Sequence, residues 1–152
     1  MTGDVIIREA GIEDLPGCAD IINDYIDTTP WLPRLISRSQ IAELFNPDML
    51  KSRYLLVADT GRQIGGYLSL NEETEQIGGF YLDPGFRQQG TGKAMMDKAK
   101  ARSPDQIKLT VFEPNQRARR FYEREGFVEQ PDQRQEKTEE GIPTLMMCWR
   151  GS

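Results

Sequence analysis

Apolar positions along the chain switch period repeatedly, and each switch predicts an element. Val5-Ile6-Ile7-Arg8 reads as a short opening strand. Leu15, Cys18, Ile22 and Tyr25/Ile26 then recur at the spacing that lines one helix face, which predicts an amphipathic helix over 13–27. Thr28-Thr29-Pro30-Trp31-Leu32-Pro33 stops it, because each proline pushes the preceding residue out of the helical region. Ser39 or Ser37 is placed to cap a second helix over 39–46, with Ile41, Leu44 and Phe45 on its buried face. From Tyr54 the pattern turns strand-like: Tyr54–Ala58, a turn at Asp59–Arg62, a returning strand from Ile64 to Leu70, a turn at Asn71–Thr74 and a strand at Ile77–Leu82. A helix over 91–102, a strand at Ile107–Phe112 and a helix at Asn115–Glu125 follow. Gly126-Phe127-Val128 opens another strand, a polar loop spans 130–141, and Thr144–Trp149 is the last strand. The order is β-α-α-β-β-β-α-β-α-β-β with no repeat and no linker, which predicts one α/β domain over 1–150. Gly151-Ser152 reads as a cloning remnant.

Composition narrows the function classes. The chain has 152 residues, 38% of them hydrophobic, with 19 Lys+Arg against 24 Asp+Glu for a net charge of -5. That balance argues against a nucleic-acid-binding module, whose footprint is basic. No apolar run is long enough to span a bilayer, and Met1 to Arg8 shows neither a basic nor an apolar leader region, so no signal peptide and no membrane association are expected. Two cysteines, Cys18 and Cys148, require no disulfide and suit a reducing cytoplasm. The chain contains no histidine, which excludes His-based triads and His-ligated metals, and the two distant cysteines give no zinc spacing, so no metal is expected. Charge is uneven: residues 87–124 carry ten Lys/Arg and four Asp/Glu, a local +6 that leaves -11 elsewhere. Such a segment is either a pair of solvated helix faces or a field suited to a small polyanion.

The run from Phe80 to Met96 reads strand, loop, helix. A glycine-containing turn into a helix presents unpaired backbone N–H groups at the positive end of the dipole, where phosphate binds. A P-loop needs Lys-Ser/Thr after its last glycine, but Thr91 follows Gly90 and Ala94 follows Lys93. A dinucleotide fingerprint needs Gly or Ala where Met95 stands, with a βαβ unit before it. What remains is Arg87-x-x-Gly90-x-Gly92.

This segment, with its preceding aromatic-aliphatic-Asp-Pro strand end, resembles motif A of the GNAT superfamily of acetyl-CoA-dependent N-acetyltransferases. Downstream, Asn115-x-x-Ala118-x-x-Phe121-Tyr122-Glu123-x-x-Gly126-Phe127 resembles motif B. The likeness extends over about residues 4–149 and is most specific over 76–128. It implies the GNAT fold: a mixed, mostly antiparallel sheet with helices on both faces. It also implies that the strand at Phe80–Leu82 splays from Leu109–Phe112 to admit the pantetheine arm of acetyl-CoA. The backbone of Tyr81 and Leu82 would pair with pantetheine amides, one N–H polarising the thioester carbonyl. Arg87, Gln88, Gln89, Gly90, Thr91, Gly92 and Lys93 would cradle the diphosphate. Asn115 would hold pantetheine, Phe121 would stand beside it, and Arg119 or Arg124 would meet the 3′-phosphate.

The resemblance assigns chemistry as well. A neutral amine attacks the thioester directly, and Tyr122, at the family's tyrosine position, would protonate the departing sulfur. Either Glu75 or water would take the amine proton, or the amine binds already deprotonated. The first two helices would wall the acceptor pocket and bring Thr28, Thr29, Trp31, Leu32 and Arg34 to the amine; Trp31 either stacks on a substrate or caps the core. The expected acceptor is a small-molecule amine or amino-acid derivative, then a protein or peptide amine. A non-catalytic acyl-CoA sensor and an enzyme of a different nucleotide are the rival readings, and pairing through the C-terminal strands makes a homodimer plausible.

Overall fold

The computed structural model describes residues 5–86 and 90–151. Seven strands form one sheet: β1 (Ile6–Glu9), β2 (Tyr54–Asp59), β3 (Ile64–Asn71), β4 (Gln76–Leu82), β5 (Gln106–Phe112), β6 (Val128–Gln135) and β7 (Thr144–Arg150). Their order is β1-β2-β3-β4-β5-β7-β6, antiparallel throughout except between β4 and β5. The helices are α1 (Leu15–Thr28), α2 (Arg38–Leu44), α3 (Pro47–Ser52), α4 (Thr91–Arg102) and α5 (Gln116–Arg124). The mixed, mostly antiparallel sheet covered on both faces is the architecture expected.

Strand β2 shows why the central run Leu55-Leu56-Val57-Ala58 has no polar alternation: both of its faces are buried. Leu56 and Ala58 join one core cluster with Met95, Met96 and Ala99 of α4 and Tyr122 of α5. Leu55 and Val57 join a second with Leu15, Cys18 and Ile21 of α1. Ser37, not Ser39, caps α2: its hydroxyl accepts from the Gln40 N–H at 3.1 Å, while the Gln40 side chain accepts from the Ser37 N–H at 2.8 Å. Leu44, expected in the core, is 58% exposed because α2 ends there. Ile41 is buried as expected, and Phe45 also turns inward, its ring 5.5 Å from that of Tyr67. Helix α3 had no counterpart in the hydrophobic pattern; Asn46 caps it with Pro47 in its first turn. Strand β6 runs into the segment expected as a polar loop. It is the sheet's edge, its outer residues are exposed, and its register shifts between Gln130 and Gln135, where Pro131 falls.

The feature that organises the rest lies in the middle of the sheet. Strands β4 and β5 share a single register pair, Gln76 with Lys108. Beside it, the Lys108 N–H donates to the Glu75 carbonyl at 2.8 Å. Along β3 the register passes from Leu70–Ile77 to Ser69–Gly79, so Gly78 is an extra, unpaired residue. Such a bulge bends its strand and increases local twist. Beyond it β4 stays with β3 and parts from β5, opening a gap between two parallel strands that would otherwise be hydrogen-bonded.

Candidate functional site

A cavity of about 1160 Å³ occupies that gap and runs on to the start of α4. Gly78 to Pro84 line one side and Leu109 to Phe112 the other. Both strands thus present one edge of main-chain N–H and C=O groups to the cavity, so a ligand with amides of its own can pair with them in β fashion. Side chains alternate across β4. Phe80 points to α5, with its ring 5.9 Å from that of Phe121. Tyr81 points to α1, its ring 4.9 Å from Tyr25 and 5.7 Å from Tyr67. Leu82 returns to the α4 side, in contact range of Gly92.

At one end of the cavity stands the N-terminus of α4. Gly90 is its cap residue, at φ 80 and ψ -2, and it supplies no side-chain acceptor. The first-turn N–H groups of Thr91, Gly92 and Lys93 are therefore not claimed by a cap. A Cβ on Gly92 would sit 3.3 Å from Leu82 and 3.4 Å from Phe121, so bulk there would intrude on the packing that shapes the cavity wall. Lys93 also stands at this end, and Arg117 and Arg124 of α5 line the cavity. Lys93 reaches Asp97 at 3.4 Å and Glu125 at 3.7 Å; its hydrogen bond to Asp97, above all, raises its pKa. Lys100 meets the same Glu125 carboxylate at 3.6 Å and donates to the Glu125 carbonyl at 2.6 Å. First-turn donors that are free among the described residues, the helix dipole and Lys93 make this an end suited to an anionic group such as a phosphate. Arg87, Gln88 and Gln89, expected at the same place, lie outside the described residues. Arg119 does not line the cavity: it donates to the Glu113 carbonyl at 3.0 Å and approaches Glu129 at 4.0 Å. Between Arg119 and Arg124, only Arg124 lines the cavity.

Tyr122 lines the middle of the cavity and is 8% exposed. Its ring lies between Phe121 and Phe127, 5.6 Å from each. Burial pushes its hydroxyl well above the ordinary tyrosine range, and the hydroxyl makes no hydrogen bond among the described residues. It therefore carries its proton at neutral pH. Asn115 also borders the cavity. Its side-chain oxygen accepts from the Ala118 N–H at 3.3 Å to cap α5, and its amide donates to the Tyr25 hydroxyl at 3.0 Å.

The opposite side is closed by the end of α1. Thr28, Thr29 and Trp31 line it, whereas Leu32 and Arg34 do not. Both threonine hydroxyls bond back into the helix, Thr28 to the Asp24 carbonyl at 2.7 Å and Thr29 to the Tyr25 carbonyl at 2.6 Å. Trp31 meets Phe112 edge-on with ring centres 5.7 Å apart. Arg34 instead ties α1 to its following segment through Asp27 at 2.7 Å and Asn23 at 2.9 Å. Glu75 is not brought to the cavity. It sits in the turn before β4 with φ 58, its carboxylate accepting from Gln106 at 2.8 Å. Sequence reasoning missed Tyr25, Gly78 and Gly79 as lining residues; Tyr25 was legible only as one apolar position of α1, and the Gly78-Gly79 pair was the only mark of the bulge.

Among the described residues no group of three or more His, Cys, Asp or Glu is placed to hold a metal, and no helix is long and apolar enough to cross a membrane. A family model for the acetyltransferase (GNAT) domain matches residues 31–150. The chain is 26% identical over 149 residues to the peptidyl-lysine N-acetyltransferase YiaC of Escherichia coli, covering 95% of this chain and 96% of that protein. Among solved structures, apo YjaB from Escherichia coli superposes with a TM-score of 0.74 at 24% identity, over 98% of this chain and 99% of the other. The yncA structure from Salmonella typhimurium, determined with its cofactor acetyl-CoA, gives a TM-score of 0.75 at 16% identity over 97% and 94%.

Proposed function

Because this chain belongs to the GNAT acetyltransferase family and is an acetyl-CoA-dependent acetyltransferase, we propose that it acetylates a small primary amine that enters from the α1 side of the split sheet. Bound in the cavity, acetyl-CoA supplies an activated acetyl thioester. The α4 end is the diphosphate cradle in this reading, with Gly90, Thr91 and Gly92 contributing main-chain donors and Lys93 and Arg124 charge. The open edge of β4 at Phe80–Leu82 pairs with the pantetheine amides, and an N–H of Tyr81 or Leu82 stabilises charge on the thioester oxygen. Asn115 adds a side-chain hydrogen bond, and Phe121 packs beside the same arm.

Tyr122 donates a proton to the departing sulfur. The same burial that raises the tyrosine also raises the basicity of a thiolate formed beside it, so the two remain matched for transfer. With Glu75 held in its turn by Gln106, the amine attacks in its unprotonated form. The proton it sheds on becoming the amide passes to water, water restores the Tyr122 proton, and orientation supplies most of the acceleration.

The observation that favours a small acceptor is the aromatic closure of the α1 side. Tyr25 against Tyr81 and Trp31 against Phe112 narrow the approach, and the inward-turned threonine hydroxyls leave its wall largely apolar. A second reading, a lysine side chain of a peptide as acceptor, is favoured by the similarity to YiaC. A panel of small amines and lysine-containing peptides, incubated with acetyl-CoA and read by thiol release, separates them. Higher kcat/KM on a small amine supports the first reading. Turnover confined to peptides overturns it.

A further inference from the structure

The gap between β4 and β5 has almost nothing in the sheet itself to set its width, since one register pair joins the two strands. A cleft that must grip an extended arm needs its two jaws held at a fixed separation, or binding must first order them. Tyr25 touches both jaws. Its ring packs on Tyr81 of β4 with centres 4.9 Å apart, and its hydroxyl accepts from the side-chain amide of Asn115 at 3.0 Å, at the junction of β5 and α5. Asn115 spends its oxygen on the Ala118 N–H and one amide hydrogen on Tyr25, which leaves the second amide hydrogen for a ligand. The carboxamide is thereby fixed in rotation from both ends. On the other side of the cleft, Tyr81 is wedged between Tyr25 and Tyr67.

Resting on the assignment of the cavity to acetyl-CoA, we infer that Tyr25 is a positioning residue for pantetheine: through its Asn115 hydrogen bond and its Tyr81 contact it sets the spacing of the split sheet. Its Asn115 hydrogen bond and its Tyr81 contact bear on the part of the ligand that lies between the strands. The end of the cavity at the start of α4 belongs to a different element. Tyr25 also belongs to α1, so the helix that walls the acceptor side is tied to the residue that orients the donor.

The test compares two ligands, acetyl-CoA and adenosine 3′,5′-bisphosphate, which lacks the pantetheine arm, in wild type, Tyr25→Phe, Asn115→Ala and the double variant. Tyr25→Phe keeps the ring and removes the hydroxyl. Loss of one neutral hydrogen bond corresponds to roughly three- to tenfold in affinity. The expected result is a loss of that size for acetyl-CoA, unchanged binding of the bisphosphate, and no additional effect of Tyr25→Phe once Asn115 is Ala. Equal loss for both ligands would assign Tyr25 a general folding role and overturn the inference. Unchanged acetyl-CoA affinity, or effects that simply add in the double variant, would overturn it as well. If wild type bound neither ligand, the assignment of the cavity itself would fall, and that outcome is distinct from the others.

Discussion

Gly90 concentrates the physical argument for the phosphate end in one position. It holds φ 80 at the cap of α4, and a Cβ built there meets nothing within 4 Å. Gly90→Ala therefore introduces no clash, only the cost of a left-handed non-glycine residue, about 1 kcal/mol. Gly90→Glu carries the same backbone strain and adds a carboxylate at the mouth of the cavity. At about 5 Å from one diphosphate charge, with an effective dielectric near 20, repulsion amounts to about 3 kcal/mol. That is roughly a hundredfold in affinity. Calorimetric titration of acetyl-CoA into both variants isolates the electrostatic part, because the conformational part is common to them. Gly90→Ala should lower Tm by a few degrees and weaken binding slightly, while Gly90→Glu should weaken it about a hundredfold more. The difference should shrink as salt is raised. Equal affinities in the two variants would refute placing the diphosphate at this helix end.

Three further outcomes follow from other parts of the molecule. Tyr122→Phe should lower kcat roughly 10²-fold while the Kd for acetyl-CoA changes little, since the ring packing is kept and only the proton donor is lost; unchanged single-turnover rates would remove Tyr122 from the chemistry. Asp14, 5% exposed, accepts two bonds from Arg8 at 2.7 and 2.9 Å and one from the Gly11 N–H at 2.7 Å, and Arg8 above all holds its carboxyl below the usual range. Its stabilisation is present above the unfolded carboxylate pKa and is lost as pH falls through the lowered folded value. Asp14→Asn should therefore cost about 1.5–3 kcal/mol in urea unfolding at pH 7, with the gap to wild type closing below about pH 4. Burial pushes the Cys18 thiol up to about 12, so it should resist alkylation at pH 8 in the folded protein and react once urea unfolds it; rapid labelling of the native state would contradict its packing between α1 and the sheet.

Much of this architecture was legible because its elements obey local rules. The 3.6-residue stripe of α1, the doubly buried run of β2 and the glycine turn into α4 each state their environment in their own composition. What escaped has a physical reason in each case. Strand β6 is an edge, so its polarity resembled a loop. Helix α3 is six residues long and only Met49 and Leu50 pack, half-buried, against the second cluster, too short a stretch to show a helical period beyond its Asn46-Pro47 cap. Leu44 fell on the expected face of α2, but the helix stopped before that face met the core. At the site, the donor end was readable because it is built from one contiguous segment. The acceptor side is assembled from α1, β4 and β5, and the contacts of Tyr25 with Tyr81 and Asn115 span separations that no local pattern encodes. Glu75 was a reasonable carboxylate by position, yet its left-handed backbone and its bond to Gln106 direct it elsewhere.

The lone rung between β4 and β5 also bears on how the protein survives without its ligand. Sheets normally expose unsatisfied edges only at their margins, where proline, charge or twist discourages other chains from adding on. Here two such edges lie in the interior, flanked by Ile77, Phe80, Leu109 and Val111, with neither a proline nor a charged side chain between Gln76 and Leu82. A stray extended peptide, or the same strand from an unfolding neighbour, could slot into that opening as readily as pantetheine. On the proposed reading, acetyl-CoA filling the gap would cover both edges, and ligand-free preparations should be the ones that aggregate on warming.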